Sequence, residues 1–132
     1  MAKCLGVAAS GNAEVSQTAV NILEAGGNAF DAALGAMCAA CVSEPMLASL
    51  GGGGFLLARP AGAEPVSLDF FVQTPAAAPD ASGVDFYPIF ADFGDAKQEF
   101  HIGWGSVATP GAIAGLFEIQ RRLCRLPIAD LL

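Results

Sequence analysis

The sequence predicts one mixed α/β (α+β) domain in which helices pack on an antiparallel sheet. Three observations predict it: two N-terminal segments with helical spacing of apolar residues, two short apolar runs joined by a Pro-rich turn, and a third helical segment near the C-terminus. The length of 132 residues predicts a single domain rather than two. Hydrophobic residues make up 54% and charged residues 14% of the chain, against roughly 25% charged residues in ordinary domains. We therefore expect another polypeptide to cover part of the surface.

The first elements predicted are a short strand at residues 5–8 and a helix that begins after Asn12. Apolar residues follow that helix at i, i+4, i+7 and i+8, namely Val15, Ala19, Ile22 and Leu23. The pair Gly26 and Gly27 then supplies the positive φ that closes a helix.

A second helix is predicted from Ala29 to about Ser43. Asn28 is its expected cap, and Asp31 occupies the capping-box position. The segment is almost entirely small and apolar, so we expect it to be packed on several sides. Pro45 disfavours helical geometry in Glu44 and ends the helix.

The middle of the chain predicts a β-hairpin. Strands are expected at residues 55–58 and 66–72, joined through the turn at 60–65. Residues 80–100 show no clear period, and we assign no element to them. A third helix is expected to begin with Thr109 as cap and Pro110 in its first turn. Residues 128–132 predict the first turn of a further helix, and we expect the sequence to end within that helix.

Charge and composition exclude several classes of function. The net charge is −7, and the only basic cluster is Arg121, Arg122 and Arg125, so we expect no nucleic-acid partner. The apolar run 32–42 is shorter than the roughly 20 residues of a membrane span, and we expect no membrane contact. No secretory signal is visible, which favours a cytoplasmic location.

The cysteines and the single histidine do not predict a metal site. Cys38 and Cys41 form a C-x-x-C pair in an apolar helix, while Cys4, Cys124 and His101 are distant in sequence. Zinc needs three or four ligands that converge. We expect buried reduced thiols, no metal and no cofactor.

The glycine run 51–54 could form an anion-binding loop. A phosphate loop, however, needs the order strand, glycines, helix, whereas here a helix precedes the glycines and a strand follows them. The run therefore predicts a tight entry into a buried strand, or backbone that lies against a substrate cleft.

Several blocks of the sequence resemble one known family. They occur in the family's order and lie at residues 23–33, 43–45, 50–57, 68–70, 74–76, 105–115 and 126–127. These blocks resemble the opening of the γ-glutamyltranspeptidase family.

The resemblance implies an N-terminal-nucleophile hydrolase with an αββα sandwich. In that family the precursor cleaves itself, and the exposed threonine of the small subunit attacks a γ-glutamyl amide such as that of glutathione. The α-amine of an N-terminal threonine serves as its base. The family's oxyanion-hole glycines also lie in the small subunit.

The chain corresponds to the first part of the large subunit, residues 1–132, and we expect it to be incomplete. Thr18, Thr74 and Thr109 lie at positions with other roles, so no catalytic residue is assigned and the chain alone is expected to be inactive. The partners implied are a γ-glutamyl-type small molecule or peptide and the small subunit.

Two residues are candidates for substrate binding. Phe71 occupies the position at which the family typically has an arginine that binds the substrate α-carboxylate, and a ring there favours a less polar acyl group. Asp69 could orient a substrate amine or cap local N–H groups. Glu44 could fix the turn before the glycines, while His101 and Trp104 are expected in a loop.

Two alternatives remain open. The chain could be a divergent non-catalytic or truncated member that acts as a binding or structural piece. It could also be an unrelated anion-binding module built on the glycine run.

Overall fold

The first two helices begin and end where their caps predict. The computed structural model describes residues 6–77 and 83–131, with α1 at Ala13–Glu24 and α2 at Ala29–Ser43. The Asn12 side chain accepts a hydrogen bond from the Glu14 amide at 2.8 Å. Between the helices Gly26 has a φ of 96°, a conformation in which a Cβ is unfavourable.

Asn28 and Asp31 form the predicted capping box at the start of α2. The Asn28 side chain accepts from the amides of Phe30 and Asp31, and the Asp31 carboxylate accepts from the Asn28 amide at 2.7 Å. Ala32 and Leu34 in the first half of α2 are buried, whereas Val42 in its last turn is 82% exposed. The predicted packing on several sides is therefore present only in the first half of α2.

A β-hairpin follows the glycine run. β1 (Phe55–Ala58) pairs antiparallel with β2 (Val66–Asp69), with Phe55 opposite Asp69 and Leu56 opposite Leu68. Leu56 and Leu68 face the core formed by the helices. The prediction that the second strand continues to Val72 is wrong, because the Asp69 side chain accepts from the Phe71 amide and turns the backbone there.

The third helix starts later than predicted. α3 spans Ala112–Leu123 with Gly111 as N-cap and no side-chain cap. Thr109 is not the cap, because its backbone pairs with Gln73 in an isolated bridge, with N···O distances of 2.7 and 3.0 Å. After α3, Pro127 precedes a short 3₁₀ turn at Ile128–Asp130.

The chain divides into two compact units. The first comprises Met1–Val72 and Pro110–Leu132, and the second comprises Gln73–Thr109. The buried core of the first unit is built from α1, α2, α3 and the segment after α3, and its members are Ala19, Ile22, Ala32, Leu34, Leu116, Ile119 and Leu131.

The second unit contains a hairpin that the sequence pattern did not reveal. β3 (Tyr87–Asp92) and β4 (Lys97–Ile102) pair antiparallel, and a 3₁₀ turn follows at Trp104–Ser106. Every residue of both strands except Ala91 is exposed, and β3 contains Pro88, a residue that is unfavourable in strand patterns. The strands therefore lack the alternation of buried and exposed residues on which strand prediction depends.

The predicted opening strand at 5–8 is also wrong in its described part. Residues 6–10 are irregular and Val7 is 91% exposed. The described residues 6–8 carry no strand geometry, and β1 and β2 are paired with each other. Some predictions fall partly outside the described residues. These concern Leu5 of the predicted opening strand, the Cys4 thiol, residues 78–82 in the middle of the chain, and Leu132 of the predicted last helical turn. No helix in the described part of the chain is long and apolar enough to cross a membrane.

Candidate functional site

The glycine run joins the start of α3 to the hairpin. The Gly52 carbonyl accepts hydrogen bonds from the amides of Gly111 and Ala112 at 3.0 and 2.9 Å. These amides belong to the first turn of α3, where no intrahelical acceptor exists. The run therefore supplies a backbone carbonyl as acceptor for two amides at the start of α3.

Gly53 and Gly54 lie directly against the chain that leaves β2. A Cβ on Gly53 would lie 2.6 Å from the Phe70 carbonyl oxygen and 2.7 Å from the Val72 nitrogen. Gly54 and Phe70 exchange two backbone hydrogen bonds of 3.0 and 3.3 Å. The glycines thus allow the close backbone approach that holds residues 70–72 in place. The predicted tight entry is present, but the prediction that it leads into a buried strand is wrong, because Phe55 and Leu57 of β1 are exposed.

Asp69 and Phe71, the two predicted substrate-binding residues, lie at this point. The Asp69 carboxylate accepts from the Phe71 amide at 2.9 Å, so it caps a local N–H group. The Phe71 ring stacks on the Phe55 ring with centroids 5.3 Å apart and 13° between the planes. Sequence reasoning did not find Phe55, although its register opposite Asp69 places it beside the loop.

A cavity of about 540 Å³ opens beside the stacked rings. Its wall includes Phe55, Phe71, the glycines 52–54, and side chains from α2 such as Leu34 and Met37. Among the described residues that line it, none carries a charge. The site can therefore accommodate an apolar group, and its described lining residues offer no ion-pair partner.

Glu44, His101 and Trp104 are not brought to this cavity wall. The Glu44 carbonyl accepts from the amides of Leu47 and Ala48, and so supports the turn after α2. His101 lies in β4 rather than in a loop, stacked on Phe86 at 4.5 Å. Trp104 lies in the 3₁₀ turn of the second unit and is 84% exposed.

The described cysteines are free, half-buried thiols that do not cluster as ligands. Burial raises the pKa of Cys38, with a further contribution from Cys41. Burial, followed by the charge of Asp31, raises the pKa of Cys124 to about 12. In the part of the chain that the structure describes, no group of three or more His, Cys, Asp or Glu side chains could hold a metal ion.

Comparison with known proteins decides the family. The gamma-glutamyltranspeptidase profile matches residues 15–132. The chain belongs to the gamma-glutamyltranspeptidase family. The predicted resemblance is thereby confirmed.

Curated relatives of this gamma-glutamyltranspeptidase family member carry two kinds of name. The glutathione hydrolase proenzyme of Escherichia coli K12 is 38% identical over an alignment of 114 residues that covers 83% of this chain and 18% of that protein. The acylase ACY 1 proenzyme of Pseudomonas sp. V22 is 35% identical over an alignment of 122 residues that covers 89% of this chain and 21% of that protein. The chain thus spans about a fifth of the length of these relatives.

Solved gamma-glutamyltranspeptidases share the fold. The Helicobacter pylori enzyme matches 99% of this chain and 36% of its own at a TM-score of 0.76 and 27% identity. The Pseudomonas nitroreducens enzyme, complexed with L-DON, matches at a TM-score of 0.75 and 27% identity over 98% of this chain and 37% of its own. The predicted mixed α/β fold, as a part of the N-terminal-nucleophile hydrolase sandwich, is confirmed.

Proposed function

We propose that this chain is the first part of the large subunit of a γ-glutamyltranspeptidase-like enzyme. The enzyme transfers or hydrolyses an amide-linked acyl group through an N-terminal threonine that lies outside these 132 residues. The observation that carries the proposal is the family match over residues 15–132. The relatives, named as proenzymes of glutathione hydrolase and of acylase, support processing of a longer precursor.

The chemistry assigned to the missing threonine needs no histidine from this chain. The threonine hydroxyl attacks the amide carbonyl while its own α-amine accepts the hydroxyl proton. The amine of the substrate leaves with a proton, and water or an acceptor amine then releases the acyl group from the threonine oxygen. The role of this chain is to bind and orient the acyl group.

The apolar surface of the first unit supports a small-subunit partner. Four apolar side chains around the end of α2 and on β1 are at least 80% exposed: Val42, Met46, Leu47 and Leu57. Val42, Met46 and Leu47 are close in sequence at the end of α2, and exposed apolar side chains grouped in this way mark sites of protein contact. We assign this surface to the downstream polypeptide that carries the threonine.

Asp69 and Phe71 are proposed to belong to the acyl-donor site. Asp69 orients the loop through the Phe71 amide, and Phe71 contributes its ring to the cavity wall. A charge-assisted hydrogen bond contributes about 1.5–3 kcal/mol, and no described residue in this wall offers one to a substrate carboxylate. Glutathione is therefore a weaker substrate than in an enzyme with an arginine at position 71.

The test is expression of residues 1–132 alone and within the complete precursor. We expect the precursor to cleave itself and to hydrolyse an acyl p-nitroanilide, and residues 1–132 alone to be inactive. A precursor whose cleavage-site threonine is replaced by alanine is the matched control. A folded complete protein that neither cleaves itself nor hydrolyses any acyl anilide would contradict the proposal and support the non-catalytic alternative. A stable, monomeric and active 132-residue chain would also contradict it.

A further inference from the structure

We infer that the cavity beside Phe55 and Phe71 binds an uncharged aromatic acyl group of the amide substrate. The inference rests on the proposed function, and it names the class of substrate for that site. The two stacked rings form the wall on which the acyl ring lies. Asp69 is a positioning residue that acts through the Phe71 backbone.

Much of the surface of the stacked Phe55 and Phe71 residues stays exposed in the fold. The two rings are stacked, yet the Phe55 residue stays 68% exposed and the Phe71 residue 48% exposed. Aromatic rings prefer offset-stacked or edge-to-face partners, and each such pair adds to the gain from burial. A third ring placed on this pair would cover apolar surface that these 132 residues leave exposed.

The backbone that carries the two stacked rings is held in position before any ligand binds. The Phe71 amide is bonded to Asp69 at 2.9 Å, and the backbone at 70–72 is pressed against Gly53. Phe55 follows Gly54 directly, and Gly54 is itself paired with Phe70. A preorganised wall loses little conformational entropy on binding.

The lack of charged side chains in the described cavity lining favours one class of acyl group. Enclosing an unpaired carboxylate or ammonium is unfavourable, and a γ-glutamyl head carries both. The volume of about 540 Å³ lies within the range of roughly 300–1,000 Å³ for small-molecule sites. An aromatic acyl group therefore complements this wall better than a zwitterionic one.

Binding is measured on the complete polypeptide that contains this chain, so the test does not require the 132 residues to fold alone. The probes are N-phenylacetylglycinamide and γ-glutamylglycinamide, titrated by calorimetry. Phe55→Leu and Phe71→Leu keep apolar volume but remove the ring, and Phe71→Arg adds a cation. Phe90→Leu is the matched control, because Phe90 is 67% exposed and does not line the cavity.

We expect the wild type to bind the phenylacetyl probe at least about tenfold more tightly than the γ-glutamyl probe. Phe55→Leu and Phe71→Leu should each weaken phenylacetyl binding by about three- to tenfold. Phe71→Arg should reverse the preference, and Phe90→Leu should leave it unchanged. Asp69→Asn should weaken the phenylacetyl probe, whereas a purely structural role would change only the melting temperature.

Tighter binding of the γ-glutamyl probe by the wild type would overturn the inference. So would wild-type affinity for the phenylacetyl probe in both leucine variants, or failure of the phenylacetyl probe to bind because a downstream segment fills the cavity. Turnover of the corresponding p-nitroanilides separates this inference from the proposed function. If the phenylacetyl probe binds but neither anilide is turned over, the aromatic acyl site is supported and the catalytic function is contradicted. If only the γ-glutamyl anilide is turned over, the catalytic function is supported and the aromatic acyl site is contradicted.

Discussion

The Asp31 carboxylate accepts a hydrogen bond from the backbone amide of Arg125 at 3.0 Å, although 94 residues separate the two. The same oxygen accepts from the Leu126 amide at 3.1 Å, and the other oxygen caps α2 through the Asn28 amide. Asp31 is completely buried. One side chain thus caps α2 and fastens the segment after α3 to it.

Replacement of this carboxylate should release that segment. Asp31→Asn keeps the size but puts a donor where the carboxylate accepts, and a hydrogen bond to a charged group contributes about 1.5–3 kcal/mol. We expect hydrogen exchange at the amides of Arg125 and Leu126 to become about tenfold faster or more. Asp130→Asn, at an exposed position, is the control. Unchanged protection in Asp31→Asn would show that the carboxylate does not hold the segment.

A methyl group on Gly53 should be much more harmful than one on Gly51. At Gly53 a Cβ meets two backbone atoms at 2.6 and 2.7 Å, whereas at Gly51 its nearest neighbour is the Ser49 Oγ at 3.8 Å. We expect Gly53→Ala to lower the free energy of unfolding by about 1–3 kcal/mol, and Gly51→Ala to change it by less than about 0.5 kcal/mol. Urea unfolding of the two variants measures the difference. Equal stability would mean that the close approach to residues 70–72 carries no strain.

The Cys124 thiol should be slow to alkylate. Burial and the adjacent Asp31 raise its pKa to about 12 from an ordinary value of 9.0. The smaller thiolate fraction outweighs the greater nucleophilicity of each thiolate, so the reaction with iodoacetamide at pH 8 should be roughly thirtyfold or more slower than in the unfolded chain. The rate should keep rising up to pH 10 in the folded protein, while in urea it levels off above about 9.0. Mass spectrometry of the Cys124 peptide measures both, and a plateau near pH 9 in the folded protein would contradict the assignment.

The Glu118 carboxyl should titrate below its ordinary pKa of 4.5, because Arg121 donates hydrogen bonds to it at 2.8–3.1 Å and adds a favourable charge. A lowered folded pKa stabilises the helix above the unfolded value, and this contribution is lost as pH falls through the folded pKa. An NMR titration of the side-chain carboxyl should show the shift in the wild type. Arg121→Gln should move the midpoint upward toward 4.5, and Arg125→Gln should not. The effect on stability is small because the pair is exposed.

Local signals predicted the helices of the first unit well. The Asn28 and Asp31 pair predicted the start of α2, because a capping box lies within four consecutive residues. Thr109 misled the prediction for α3, since its pairing with Gln73 joins residues 36 positions apart. The residues near Thr109 in sequence do not indicate that its backbone pairs with Gln73.

The second hairpin was missed for a related reason. Strand patterns become visible when one face is buried and the other is in water. In β3 and β4 almost every residue is exposed, so the alternation is absent although the strands pair over six residues each.

Residue order by itself determined the family, the N-caps of α1 and α2, the first hairpin and the candidates Asp69 and Phe71. These depend on motifs and on neighbours within a few residues. Only the tertiary structure decided that Phe55 stacks on Phe71, that the glycine run carries the start of α3, and that Asp31 holds the segment after α3. Each of these contacts joins residues far apart in the chain, and packing selects them by shape and hydrogen bonding rather than by spacing.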